Sequence, residues 1–388
     1  MDRRCRCRCR GPASSRRASR YFFPTNVAVR SVSYDDLRDR LDDLESGDDR
    51  RIVSFPDGSI DRWYALTGRG GDRLETADGF AAQLADGGRS FSLEPLEERP
   101  GGQAVNAAVQ VHALGDAATL VGHLDHPVLS EVPVETRSMG EPRTVRVVAF
   151  AADELLFAEP GPADGWGVED LLAVVDWERV VGADALCCAN WVSFRGLESV
   201  FERLASDPPE KRHPVVVDPG PIDTVDPAAL EGLFDGLSNA DSAAPATEIV
   251  LSVNPAELDA AAAVVGSGAG VAGGTGNGPA DRDRDRDRDR VAALRSALDI
   301  TGVVCHGPDA AVGATRDETR SLGMVSVGEP QRTTGAGDRF SGGLACGVVR
   351  DWPLETALAL GNACAARFVG TGVTADPAAV RSVLEPEP

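Results

Sequence analysis

Short apolar runs alternate along this chain with longer segments in which apolar residues recur every three or four positions. Residues 51–55, 185–189, 214–217, 249–253 and 302–305 are compact apolar runs of the kind that form buried strands. Residues 197–204, 255–265, 291–298, 339–349 and 354–369 carry the helical repeat. Strand and helix taking turns at this spacing predict an α/β fold, with a mostly parallel central sheet covered by helices on both faces. Ahead of the first strand, Leu37, Leu41 and Leu44 share one face of a short amphipathic helix within residues 31–50, which Ser33 is placed to cap.

Two regions break the alternation. Thr144–Phe150 and Glu154–Phe157 read as consecutive strands with no helix between them, which suits a small antiparallel flap. Lid strands are therefore expected within about residues 64–100 and 131–158, on a single domain spanning 51–388. Residues 266–290 run from a Gly/Ala stretch into five Asp-Arg pairs, with no core-forming residue beyond Val271. That composition predicts a solvated low-complexity insertion, outside the fold.

Charge narrows the function classes. The 388 residues carry 61 acidic against 39 basic side chains, a net charge of -22, and such a surface repels nucleic acid and anionic membrane. No stretch approaches the roughly 18 uninterrupted apolar residues of a membrane-spanning helix. Lys211 is the only lysine, and the abundance of Asp and Arg suggests a high-salt cytoplasm that screens the negative charge. Residues 1–20 oppose the trend with eight arginines and one aspartate, so residues 1–30 are expected to be a basic disordered tail. Cys5, Cys7 and Cys9 lie there without Cys-x-x-Cys spacing, and the other five cysteines sit in apolar segments as buried thiols. An intracellular protein without a disulfide framework follows.

Several apparent motifs lack the context their chemistry needs. Gly268, Gly270 and Gly273 match a dinucleotide fingerprint but lie inside the low-complexity segment, with no strand before them. His123, Asp125 and His126 read as surface polar groups of a turn rather than metal ligands. No Gly-rich stretch carries the lysine of a Walker A loop, and no Gly-x-Ser-x-Gly elbow is present.

Three segments carry chemistry. Thr334-Gly335-Ala336-Gly337-Asp338 opens an apolar helix, and small residues at a helix mouth leave backbone N–H groups pointing at open space, where they and the helix dipole stabilise an anion. Asp338 at that helix start could take a proton from an attacking hydroxyl, or could serve only as a first-turn stabilising residue. Gly101-Gly102-Gln103-Ala104-Val105-Asn106 opens a second helix, where paired glycines allow close approach of a polyhydroxy ligand and the Asn amide both donates and accepts. Asn254-Pro255-Ala256-Glu257 follows a strand at its carboxyl end, the edge at which open α/β sheets bind ligands; Glu257 there is placed to hold hydrated Mg²⁺, or the pair to cap a helix.

Together these segments resemble the ribokinase/PfkB family of carbohydrate kinases, over roughly residues 52–384 without the insertion. The resemblance implies a ribokinase-like fold with a β lid, Mg²⁺ and ATP as phosphate donor, and a homodimer through the lid. It implies Asp338 as catalytic base and the amides of Gly335, Ala336 and Gly337 as the anion hole. Asp61, Gly101, Gly102 and Asn106 then bind the sugar, Asn254 and Glu257 place phosphate and metal, Gly307 belongs to the nucleotide loop, and Asn362 borders the adenine.

There are departures from the family pattern. Its members commonly carry Asp two residues before the second Thr of the C-terminal motif, beside a monovalent-cation site; here that position is Arg332, whose fixed charge opposes K⁺. The nucleotide loop has Pro308 and Asp309 where a second Gly is usual. Arg62, Arg137, Arg143 and Arg146 near the expected sugar site make a phosphorylated acceptor such as ribose 1-phosphate an alternative to a free pentose, hexose or nucleoside, with Arg143 as a substrate ligand. A non-catalytic sugar sensor and an ADP-dependent kinase are the rival readings.

Overall fold

The computed structural model describes residues 32–46, 49–151, 154–159, 161, 165–266 and 279–385. The basic tail, with its three cysteines, and the three-glycine fingerprint lie outside the described residues. In chain order the elements are α1 (Val32–Glu45), β1 (Arg51–Phe55), β2 (Ser59–Thr67), α2 (Ala77–Ala85), β3 (Ser92–Gly101), α3 (Gln103–Ala113), β4 (Ala117–Gly122), β5 (Glu135–Ser138), β6 (Arg143–Ala149) and β7 (Glu154–Ala158). There follow α4 (Val168–Leu172), α5 (Trp177–Val181), β8 (Ala185–Ala189), α6 (Leu197–Ser206), β9 (His213–Asp218), α7 (Pro227–Ala243), β10 (Thr247–Val253) and α8 (Pro255–Val264). The last are α9 (Pro279–Leu298), β11 (Gly302–His306), β12 (Ala310–Thr315), β13 (Thr319–Gly323), α10 (Ala336–Val348), α11 (Leu354–Thr371) and α12 (Pro377–Leu384).

Nine strands form one sheet in the order β13-β12-β11-β10-β9-β8-β1-β4-β5, parallel from β11 through β5 and antiparallel at the β12 and β13 edge. Strand alternation divides the core: Ile52 packs with α1, α3, α10, α11 and α12 on one face, Val53 and Phe55 with α4 through α9 on the other. Apolar residues on both strand faces explain why these runs are continuous rather than alternating.

The second sheet, β3-β2-β6-β7, is the lid. The consecutive strands β6 and β7 pair antiparallel, as expected from sequence, and β2 joins them by running parallel to β6. Ser59 pairs with Arg143 at the start of that ladder, which brings the lid down to the carboxyl end of β1. Within the span expected to be lid, β5 instead extends the central sheet by pairing with the edge of β4. The Asp-Arg run is also corrected: α9 begins at Pro279 and carries it as helix into Val291. Docking explains the difference, since Arg290 pairs with Asp259 of α8 and Arg288 donates to the Thr319 carbonyl of β13 at 3.4 Å.

Candidate active site

The Gly-rich motif turns into α10 at Gly335, whose φ of 90° places it in the left-handed region open to glycine. The Ala336 N–H donates to the Thr333 carbonyl at 3.1 Å and closes the turn. Of the three amides expected to form an anion hole, Ala336 is therefore spent, while the N–H groups of Gly335, Gly337 and also Asp338 have no acceptor among the described residues. The donors converge at the positive end of a thirteen-residue helix.

Asp338 is held from α3. Asn106 Nδ2 donates to its Oδ2 at 2.7 Å, and Gln103 Nε2 lies 3.4 Å from its Oδ1. Burial raises the Asp338 pKa, and the Asn106 amide and Arg339 guanidinium oppose that shift. The two helices approach closely because Gly342 of α10 lies over the Ala107 carbonyl of α3, where a Cβ would come within 2.8 Å.

The N-cap of α3 is Gly102, which has no side chain to satisfy the first-turn donors. Asp57, from the loop after β1, supplies the cap instead: its carboxylate accepts from the N–H of Gln103 at 3.0 Å and of Ala104 at 2.7 Å. Asn190 Nδ2 adds a third bond at 2.7 Å, from a residue held at a φ of 60° beyond the end of β8. Gly102 itself has a φ of 109°, a conformation that strains any side chain, and a Cβ there would crowd Gly58 and Asp57 at 3.1–3.3 Å. Asp61 lies on β2 against Gly101, accepts from Ser59 Oγ at 2.8 Å, and has its pKa raised by burial.

Asp218, at the carboxyl end of β9, accepts from Gln103 Nε2 and from Ser341 Oγ, each at 3.0 Å. Burial, then the nearby Asp338 charge, pushes its pKa up to about 7. Glu257 is pushed up to about 9 by burial and by Asp218. Asn254 and Glu257 form a reciprocal cap on α8: Asn254 Oδ1 accepts from the Glu257 N–H at 3.0 Å and Glu257 Oε2 accepts from the Asn254 N–H at 2.8 Å. The helix-capping alternative for this pair is thus present in the structure.

The lid is closed over the Gly-rich turn. Thr334 Oγ1 donates to Glu154 of β7, and the Arg332 guanidinium lies 4.6 Å from the Trp63 ring of β2. Arg143 Nη1 donates to Ser193 Oγ at 2.6 Å, tying β6 to the segment after β8. The other arginines proposed for a substrate phosphate are engaged by carboxylates: Arg62 by Glu98, Arg137 by Glu135 and Arg146 by Glu159.

At the loop expected to meet nucleotide, the Gly307 N–H is spent on the Ala310 carbonyl in the β11–β12 hairpin. Asn362, expected to border the adenine, is fully buried and donates to the Tyr34 hydroxyl at 3.1 Å. The reason is α1, which packs on α11 and α12 and whose Tyr34 also donates to the Gly323 carbonyl at 2.7 Å. His306 presses its ring against Gly337 and Phe340, and burial lowers its pKa to about 4. His123, Asp125 and His126 do not converge, and among the described residues no cluster of three His, Cys, Asp or Glu is placed to hold a metal.

Sequence reasoning missed Asp57, Gln103, Asn190, Asp218 and Ser341. Asp57 stood one turn from the chosen Asp61, and Asp218 ends a recognised strand at the ligand-binding edge, so both had a positional signal. Asn190 had none, because its role depends on a left-handed backbone.

A family model of prokaryotic ketohexokinase matches residues 48–386. The ketohexokinase of Haloferax volcanii is 26% identical over 380 residues, spanning 90% of this chain and 93% of that protein. Among solved structures, ribokinase from Thermotoga maritima superposes with a TM-score of 0.62 at 16% identity, covering 87% of this chain and 99% of its own. Arabidopsis thaliana ribokinase complexed with ribose and ATP gives 0.60 at 16% identity, covering 87% and 100%. This chain, a carbohydrate kinase with the ribokinase-like fold, belongs to the prokaryotic ketohexokinase family.

Proposed function

We propose that the protein transfers the γ-phosphoryl group of ATP to a hydroxyl of a ketohexose, with Asp338 as general base. The observation that carries this reading is the Asn106–Asp338 bond of 2.7 Å beside the unpaired amides of Gly335 and Gly337. A sugar lying against Asp61, Gly102 and Asn106 presents a hydroxyl to the Asp338 carboxylate, which takes its proton as the oxygen attacks. The helix N-terminus stabilises charge on the transferred group, and the closed lid excludes water that would otherwise hydrolyse ATP.

A ketohexose is favoured because the matched family and the Haloferax volcanii relative are both described as ketohexokinases. A phosphorylated acceptor is disfavoured, because Arg62, Arg137 and Arg146 are each paired with a carboxylate.

The site residues fit Mg²⁺ in an outer role. Asp338 adds to the burial that raises the Asp218 pKa, and both aspartates add to the burial that raises that of Glu257, a strain that a cation relieves, while the Glu257 carboxylate keeps Oε1 outside the α8 cap. Glu257 and Asp218 would hold the ion through water, and when bound it neutralises charge on the nucleotide phosphates. The lid leaves Leu93, Leu156 and Phe157 between 42% and 52% exposed, and a second copy of the chain is proposed to cover this sheet as a homodimer.

The test is ADP release from Mg²⁺-ATP across ketohexoses, aldohexoses, pentoses, nucleosides and their 1-phosphates, with Asp338→Asn in parallel. Turnover driven by D-fructose and abolished by the substitution is expected. Sugar binding without ADP release from any acceptor, or with ADP as donor, would replace the reading with a non-catalytic sensor.

A further inference from the structure

Arg332 differs from five other arginines near the lid and the Gly-rich turn. Arg62, Arg99, Arg146, Arg143 and Arg339 all spend donors on named acceptors. Among the described residues, no hydrogen bond or ion pair engages the Arg332 guanidinium, and its Nε is buried without a partner. Its contacts are with ring faces: Trp63 of the lid at 4.6 Å and Phe368 of α11 at 5.5 Å from the respective centroids. Stacking fixes the plane of a guanidinium and leaves its edge donors for another ligand.

The backbone holds this side chain at the mouth of α10. The N–H groups of Gln331 and Arg332 both donate to the Val369 carbonyl, at 2.7 and 3.3 Å, three residues before the Gly335 turn. Arg99 repels it while Glu154, Asp61 and Glu97 attract it, and none of these carboxylates pairs with it. An arginine stays charged at any ordinary pH, and a half-buried cation without a counter-ion is unfavourable until an anion arrives. The field of Asp61 on the sugar side, and a backbone position three residues before the Gly335 turn with its unpaired amides, indicate which anion.

We propose that the Arg332 guanidinium binds the phosphoryl group in transfer and retains it as the phosphate of the sugar product. The inference rests on the kinase reading given above. In the step concerned, the sugar oxygen forms a bond to the γ-phosphorus while the bond from that phosphorus to the β–γ bridging oxygen breaks. The electron pair of that bond leaves with ADP, and the hydroxyl proton passes to Asp338. Arg332 touches the group that moves, so it acts in the manner of an arginine supplied in cis.

Calorimetric titration of the full chain with D-fructose, D-fructose 1-phosphate and inorganic phosphate separates the possibilities, using the wild type, Arg332→Lys and Arg332→Gln. Thermal unfolding of each variant checks that it folds. Arg332→Gln is expected to weaken fructose 1-phosphate and phosphate at least tenfold while changing fructose less than twofold, with Arg332→Lys between. Turnover should fall by about 10³-fold in Arg332→Gln, the lower end of the range for such an arginine. Equal weakening of fructose and fructose 1-phosphate would overturn the proposal and make Arg332 a lid latch; unchanged phosphosugar affinity would overturn it outright. If the wild type binds neither ketohexose ligand, the acceptor reading fails by itself, and Arg332-dependent binding of inorganic phosphate still decides the role of Arg332.

Discussion

Asn106 and Asp338 lie 232 positions apart in sequence, and the amide of one donates to the carboxylate of the other across 2.7 Å. The bond joins the first turns of α3 and α10, so the amide proposed to bind sugar and the proposed base share one hydrogen bond. It also opposes the rise in the Asp338 pKa that burial causes.

Loss of that bond has a signed consequence. Asn106→Ala removes the donor that lowers the Asp338 pKa, so the acidic limb of the kcat/KM profile should move to higher pH. Asp338→Asn should remove turnover by roughly 10³-fold or more, within the range for general-base catalysis, with fructose affinity within a few-fold of wild type. A profile of kcat/KM against pH in Asn106→Ala that keeps its acidic limb in place would show that the bond only positions the sugar.

Asp57 gives a stability prediction. Its carboxylate is buried and satisfies two first-turn donors of α3 and the Asn190 amide. Asp57→Ala leaves those groups unsatisfied, and a loss of about 2–3 kcal/mol follows from the lost cap and the stranded donors. Denaturant unfolding measures it; a loss below about 0.5 kcal/mol would mean that water replaces the carboxylate without penalty.

How much of this was legible in the chain depended on whether the determinant was local. The central strands and the helices after them were written in apolar periodicity, and the turn into α10 was written in its glycines. The α9 helix was not, because five Asp-Arg pairs have no apolar stripe and their docking through Arg290 to Asp259 is a tertiary contact. Asn362 followed the same rule: its burial is set by Tyr34 from a helix more than 300 residues earlier. Asp57 and Asp61 looked equivalent in sequence, and only the α3 N-terminus tells the cap from the lid residue.

The raised carboxylates set a pH dependence of stability. Asp218 and Glu257 titrate near 7 and 9 in the folded chain, above ordinary carboxylate values. The folded state therefore holds more protons than the unfolded state between about pH 4 and those values, and stability falls as pH rises through that window. Buried His306 and His213, both lowered to about 4, act in the opposite sense below about pH 6.5, so thermal unfolding in the absence of nucleotide and metal should show Tm declining chiefly between about pH 6.5 and 9. Asp218→Asn should flatten the lower part of the decline and Glu257→Gln the part that extends to pH 9. A Tm that rises over the same range in the wild type would show that both groups are ionised throughout.

Salt dependence follows from charge and from the geometry of α9. A net charge of -22 makes the compact state repel itself, and this repulsion is screened within about 3 Å at 1 M salt. In α9 the alternation of Asp and Arg puts like charges four residues apart, an unfavourable pairing, while opposite charges fall three apart, as in Arg290 with Asp287. Screening relieves the first and weakens the second, and the excess acidic charge decides the sign. Denaturant midpoints should therefore rise between 0.1 and 2 M KCl. The same increase with tetramethylammonium chloride would assign it to screening, whereas a rise confined to KCl would require a bound potassium ion. Near Arg332 the local positive charge argues against such an ion, so the two salts should act alike.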